Sequence, residues 1–366
     1  MTGETPSSER YLVLDGLRGA AALVVITDHV YSKLLTTLLP GRYLAVDFFF
    51  ALSGFVLAHV YGKRFRGGMT PLAFMSARIV RLYPLYICAT LAGSALVIVK
   101  ILTGEHISLT KLAATTLLNS VYLPTTPGLT IADDAPFPLN GPAWSLFFEL
   151  VVNLVFALIA LRLTHRGIAA LLAVSGAALV WVTFHYGTID TGYCFTNFFG
   201  GFARVFYAFF AGVLVYRLRD RWRPRAIPAW LALGLLLVTL ALPLPDELRK
   251  PWDCIAAIVI FPLLIAFAAD SKVSGAAART CATAGALSYG FYVFQIPVRN
   301  WYGAFFYRPD MPGVLSVLII TGLTLLVVVV LQNLYDRPVR RFLAERFPLL
   351  GRARGAPPRQ ESRGTP

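Results

Sequence analysis

Apolar residues come in long runs separated by short polar stretches over most of the chain, and the runs approach the length that crosses a bilayer. They fall near 14–38, 43–61, 83–102, 143–163, 167–185, 201–217, 228–243, 253–269, 284–306 and 313–334. The pattern predicts an all-α polytopic membrane protein of about ten transmembrane helices. The seventh and eighth runs are the shortest and are bracketed by prolines, Pro228 and Pro243, then Pro251 and Pro262. Residues 103–142 form the longest connection, rich in Thr, Pro and Gly. Its apolar middle, 112–123, is too short to span and predicts a re-entrant or surface-lying helix, a plain connector being the alternative. No internal repeat is evident. Residues 1–343 read as one transmembrane domain, and 344–366, basic and rich in Pro, Gly and Arg, as a disordered cytoplasmic tail.

Composition narrows the class. Hydrophobic residues make up 57% and charged residues 14% of the 366 positions. Soluble domains carry about a quarter charged residues, so a soluble enzyme and a disordered chain are both excluded. The net charge of +14 is not one patch, which argues against a nucleic-acid partner. Lys and Arg instead cluster in alternate connections: Lys63 to Arg81, Arg162 with Arg166, Arg217 to Arg225, Lys272 with Arg279, and the tail. The positive-inside rule then predicts both termini in the cytoplasm and a multi-pass protein of the cell (inner) membrane. Cys88, Cys194, Cys254 and Cys281 show neither disulfide-framework nor metal-ligand spacing, and no metal site is expected. The first run contains Arg18 and His29, so no cleavable signal peptide is expected.

Charges inside a bilayer cost about 2.5–3.5 kcal/mol on insertion scales and mark pathways or sites. Arg18 and His29 are eleven residues apart, within about 20° of the same helical face and about 16 Å apart along the axis. Asp47, Glu149, Arg204 and Arg299 are expected at a depth similar to that of His29, from separate runs. Together they suggest one polar cavity, with Asp47, Arg204 and Arg299 lining an acceptor space; the alternative is buried ion pairs that lock helices. A neutral imidazole beside a carboxylate is a general-base arrangement, which makes His29 and Glu149 catalytic candidates. Asp28 is either the orienter of His29 or a separate helix contact. Arg78 and Arg81, spaced i,i+3 on the expected lead-in turn of the third helix, suit phosphate oxygens, although ordinary positive-inside charge also accounts for them.

Six ordered blocks carry a family likeness: LDGLRGAAALVVITDH (14–29), VDFFFALSGFVL (46–57), RIVRLYPLY (78–86), PAWSLFFEL (142–150), LSYGFYVFQIPV (287–298) and DRPVRRFL (336–343). The chain resembles the acyltransferase type 3 family, integral-membrane O-acyltransferases that modify surface polysaccharides, Nod factors, peptidoglycan and macrolides. The resemblance implies a cytoplasmic acyl-CoA donor and a hydroxyl acceptor often reached from the outer side. It also implies that Arg18 and His29 carry the Arg-x10-His motif, that Arg78 and Arg81 carry Arg-x-x-Arg, and that Glu149 is the glutamate after Trp-Ser-Leu. Gln295 stands where many members have histidine, and Asp336 where a glutamate is usual. No appended SGNH-type domain is seen, so the transfer is expected to finish in the membrane domain or to pass to a separate protein.

The expectation is therefore a membrane-embedded O-acyltransferase that moves an acyl group, an acetyl group foremost, from acyl-CoA to a carbohydrate. Arg18, Arg78 and Arg81 would bind the donor phosphates, and the pantetheine arm would follow the first helix toward His29. His29 would be the base, with Glu149 or Asp28 holding its tautomer. Acyl-CoA is a co-substrate, and no permanently bound cofactor is expected. No residue stands out as the oxyanion donor. The alternative from another class is a proton-coupled transporter of a polar small molecule, which would ignore acyl-CoA and would commonly show two related halves.

Overall fold

A computed structural model describes residues 11–27, 37–308 and 311–346, and every regular element among them is helical. Eleven helices follow one another among the described residues. They are α1 (Leu12–Ile26), α2 (Ala45–Arg66), α3 (Pro71–Leu102), α4 (Leu109–Ser120), α5 (Ala143–Ile159), α6 (His165–Tyr186), α7 (Gly200–Leu218), α8 (Ala229–Ala241), α9 (Asp246–Ala268), α10 (Gly275–Phe305) and α11 (Gly313–Arg346). Six of these, α2, α3, α6, α7, α9 and α11, are long and apolar enough to cross a membrane. α5 and α8 are apolar but shorter, and α10 is long but carries Arg279, Gln295 and Arg299. These three and α1 fall where the other four expected spans lie. The expected tail, 344–366, lies outside the described residues beyond Arg346.

Local chemistry sets the ends. Thr70 accepts a hydrogen bond from the Ala73 amide, and Pro71 occupies the first helical position, so α3 begins twelve residues before the expected start of that span. Pro84 then sits inside the helix, as membrane helices tolerate. Arg78 and Arg81 consequently lie within the body of α3 and not on a lead-in turn. α9 and α11 each continue through a single π turn, at Ala256–Ile260 and Gln332–Asp336.

The Arg-rich connections gather at one end of the bundle. There Tyr11 packs against His59 and Arg219, Arg219 pairs with Asp270, Arg217 reaches the Leu163 carbonyl, and the Ser271 hydroxyl donates to the Ile227 carbonyl. At the far end the Gly41 amide donates to the Leu240 carbonyl, and Tyr43 donates to Asp253. Small residues let the central helices meet closely. A Cβ on Gly54 of α2 would stand 1.9 Å from the Phe209 carbonyl oxygen of α7, and one on Gly212 would stand 1.9 Å from that of Ala51. α1 lies against α10 in the same manner, with Gly19 facing Ala284.

The 103–142 connection is re-entrant. α4 runs back along α3, with Thr116 3.0 Å from Ser94 and the Asn119 carbonyl accepting from the Tyr86 hydroxyl. Tyr86 is sixteen residues from the end of α3, or about 24 Å at the helical rise, so the connection dips to mid-bundle before it returns. Asn119 Nδ2 then holds the Leu123 and Pro136 carbonyls at 3.1 and 3.2 Å, which folds the returning strand of chain onto the helix.

Candidate functional site

One face of α10 organises the polar interior. Ser288, Tyr292, Gln295 and Arg299 recur at helical spacing, so their side chains form a stripe that starts toward the basic end and runs to the far end.

At the basic end, Arg18 donates from Nε to Ser288 Oγ at 3.0 Å and from Nη2 to Asp15 at 2.8 Å and the Gly285 carbonyl at 2.7 Å. Arg340 is clamped to Asp336, at 2.8 Å from Nε and 2.7 Å from Nη2. Arg78 is buried, and its Nη2 donates to Glu149 Oε1 at 2.8 Å. Arg81 differs from all three. Its side chain is exposed, it has no carboxylate within 4.0 Å among the described residues, and Arg78, Arg18 and Arg340 stand close enough to repel it. The three arginines expected to bind a donor thus come together, joined by Arg340, which the sequence signalled only as part of the block at 336–343. Beside Arg18 a groove of about 420 Å³ opens between α1, α10 and α11, with Gly19, Ala22, Ser288 and Phe291 in its wall.

Midway up, Glu149 accepts from the described residues on one oxygen alone. Ser53 Oγ also donates to Oε1 at 2.8 Å, and Oε2 accepts nothing from the described residues. The Glu149 side chain is 18% exposed, so the open oxygen is reachable. Ser53 carries no sequence signal: it is one hydroxyl within an apolar helix. Above it the Ser145 and Tyr292 hydroxyls lie 2.6 Å apart, and Gln295 Nε2 donates to the Tyr292 carbonyl at 3.1 Å. The Asn140 side-chain amide and Gln295 Oε1 are buried and make no hydrogen bond among the described residues.

The residues expected around an acceptor separate. Arg204 is fully buried and all five of its N–H groups are taken: Asp47 at 3.1 and 2.8 Å, Asp190 at 3.0 Å, and the carbonyls of Thr191 and Tyr43 at 2.9 and 3.2 Å. Its guanidinium also stands 5.3 Å from the Trp144 ring. No donor of Arg204 is left for a ligand. This cluster ties α2, α7 and the 187–199 connection together, so Asp47 and Arg204 act on each other. Arg299 lies apart on α10, with Nη1 donating to Asn300 Oδ1 at 3.0 Å. His29 and Asp28 lie outside the described residues. No group of His, Cys, Asp and Glu among the described residues could hold a metal ion.

The 103–142 connection is pinned to the 187–199 connection by Asp134, which accepts from Thr196 Oγ1 at 2.9 Å and from its amide at 3.3 Å. Desolvation works against the Asp134 charge, but these hydrogen bonds outweigh it and hold the carboxyl below its usual range. Burial, reinforced by the Asp134 charge, pushes the neighbouring Cys194 thiol up to about 11.

Comparison with known proteins identifies the family. A family model described as an acyltransferase domain matches residues 11–332. The chain is 42% identical over 182 residues to "Protein 2 in picA locus" of Rhizobium radiobacter, an alignment that covers 47% of this chain and 94% of the relative. No solved structure matches.

Proposed function

This chain belongs to the acyltransferase type 3 family and is a multi-pass membrane acyltransferase, and from that premise we propose that it moves an acetyl group from cytoplasmic acetyl-CoA to a carbohydrate hydroxyl. The observation that carries the donor assignment is Arg81: an exposed guanidinium with no carboxylate within 4.0 Å among the described residues, and with Arg78, Arg18 and Arg340 close enough to repel it. Such a cluster is unfavourable until a polyanion enters it, and the pyrophosphate and 3′-phosphate of CoA supply that charge. Arg18 and Arg340 already hold carboxylates and frame the site. The groove beside Arg18 gives the pantetheine arm a course along α1 and α10.

The chemistry assigned to this chain is proton transfer and orientation. His29 takes the proton of the attacking hydroxyl and returns it to the departing thiolate. Glu149, fixed through Oε1 by Arg78 and Ser53, turns its open oxygen toward the reacting groups and orients the imidazole. With both termini in the cytoplasm, as the Lys/Arg alternation indicates, the donor enters from the basic end and the protein sits in the inner membrane.

Binding of acetyl-CoA, dephospho-CoA and pantetheine to the purified protein and to Arg81→Ala tests the donor assignment. Loss of a charge-assisted contact of about 1.5–3 kcal/mol weakens acetyl-CoA binding by about tenfold or more. Pantetheine binding is expected to be unchanged. Equal losses for acetyl-CoA and pantetheine would remove the phosphate role from Arg81.

A further inference from the structure

The groove beside Arg18 has a direction. Arg279 and Thr280, both exposed, mark its mouth at the basic end, and Phe291 is the residue of α10 farthest inward along its wall. The twelve residues from Arg279 to Phe291 span about 18 Å at the helical rise. α1 runs parallel to α10 along this course, with Gly16 facing Cys281, Gly19 facing Ala284 and Arg18 reaching Ser288. The wall changes character on the way in. It is cationic and hydroxylated near the mouth, whereas Ala22, Leu23, Phe291 and Leu325 form an inner end of carbon alone.

Phe291 closes that inner end. It is 2% exposed and packs with Ala22 and Ile26 of α1 and with Val317 and Ile320 of α11, in an apolar cluster separate from the main core. Val328 stands against Gly290, so α11 returns antiparallel to α10, and Ile320 and Val317 lie beyond Leu325 on the far side of the ring. Past Phe291 the space is filled by these side chains. Tyr292, the next residue, meets Ser145, which is one turn from Glu149. The groove therefore ends at about the level of the carboxylate of the candidate site.

We propose that Phe291, with Leu325 beside it, restricts the donor to a short acyl chain; this rests on the acyltransferase reading above. An acyl group carried inward on the pantetheine arm meets the Phe291 ring with its far end. A methyl group stops short of the ring, whereas a longer chain has to displace a side chain held on both sides by close-packed neighbours. A pocket wall of this kind discriminates a single methylene by about tenfold or more. A chain that instead left sideways between Leu23 and Leu325 into the lipid would make its length irrelevant.

Release of CoA thiol from acetyl-CoA and from hexanoyl-CoA by membranes of expressing cells, corrected for membranes lacking the protein, tests the role. The wild type is expected to prefer acetyl-CoA by about tenfold or more. Phe291→Ala opens the inner end into the apolar cluster, where each added methylene gains about fourfold, so the ratio of hexanoyl to acetyl release is expected to rise by about tenfold or more. Leu325→Ala, at a partly exposed position, shifts the ratio the same way and carries the test should Phe291→Ala fail to fold. Leu326→Ala, on the exposed face of α11 outside the groove, is expected to keep the wild-type ratio. Hexanoyl-CoA used as readily as acetyl-CoA by the wild type, a ratio that neither groove variant moves, or one that Leu326→Ala moves as far, overturns the proposal while leaving the acyltransferase reading in place. A wild type that releases thiol from neither donor removes that reading, and this role with it.

Discussion

Two buried arginines show how much a single residue's role depends on what is left over after pairing. Arg204 has every N–H engaged, whereas Arg78 leaves one oxygen of its glutamate open. Arg204→Ala strands the Asp47 carboxylate in a fully buried position, a loss of about 3–5 kcal/mol that appears as a lower melting temperature and poor recovery of folded protein. Replacing the pair together, Asp47→Leu with Arg204→Met, is expected to restore much of the stability and to keep acyl transfer. A well-folded double variant that binds donor but transfers nothing would return Arg204 to the acceptor site. The sequence placed Arg204 at a plausible depth and Arg78 on a lead-in turn, neither with its partner, because Asp47 is 157 positions from Arg204 and Glu149 is 71 from Arg78. Pairings of that range are set by helix packing and leave no trace in local spacing.

Among the elements, apolar periodicity located the helices well and their ends less well. Each expected span has its helix, apart from the part of the first that falls beyond residue 27, but α3 starts earlier and α11 runs later than the apolar stretch alone indicates. In both cases charged residues continue the helix: Arg78 and Arg81 in α3, and Arg337 to Arg346 in α11. The re-entrant course of 103–142 was one of the readings its short apolar middle allowed, and its contacts with α3 decide for it. The 187–199 connection offers a direct handle on sidedness through Cys194. A variant retaining Cys194 as its single cysteine is expected to react with an impermeant maleimide only from the outer face. Because the thiolate is the nucleophile, labelling should be slow at neutral pH and rise as pH approaches about 11, where the thiol ionises. Fast labelling at neutral pH, or labelling from the cytoplasmic face, would contradict the environment or the topology respectively.

At the scale of the whole molecule, the polar stripe of α10 connects two ends of opposite character. The basic end gathers Arg18, Arg78, Arg81 and Arg340, and the far end is closed by the Arg204 cluster and the folded 103–142 connection. A charged donor held at the first and a hydroxyl acceptor meeting it near Glu149 is the division of labour this layout favours. The central claim is transfer of an acyl group from CoA with His29 as the base. It is tested most directly by supplying acetyl-CoA labelled in its acetyl group to membranes containing either the wild-type protein or His29→Ala and recovering label in ester linkage to carbohydrate. The wild type is expected to transfer label, and His29→Ala to bind acetyl-CoA normally while transferring about 10²–10⁴-fold more slowly. Transfer at the wild-type rate by a donor-binding His29→Ala protein, or none by the wild type, would contradict the account.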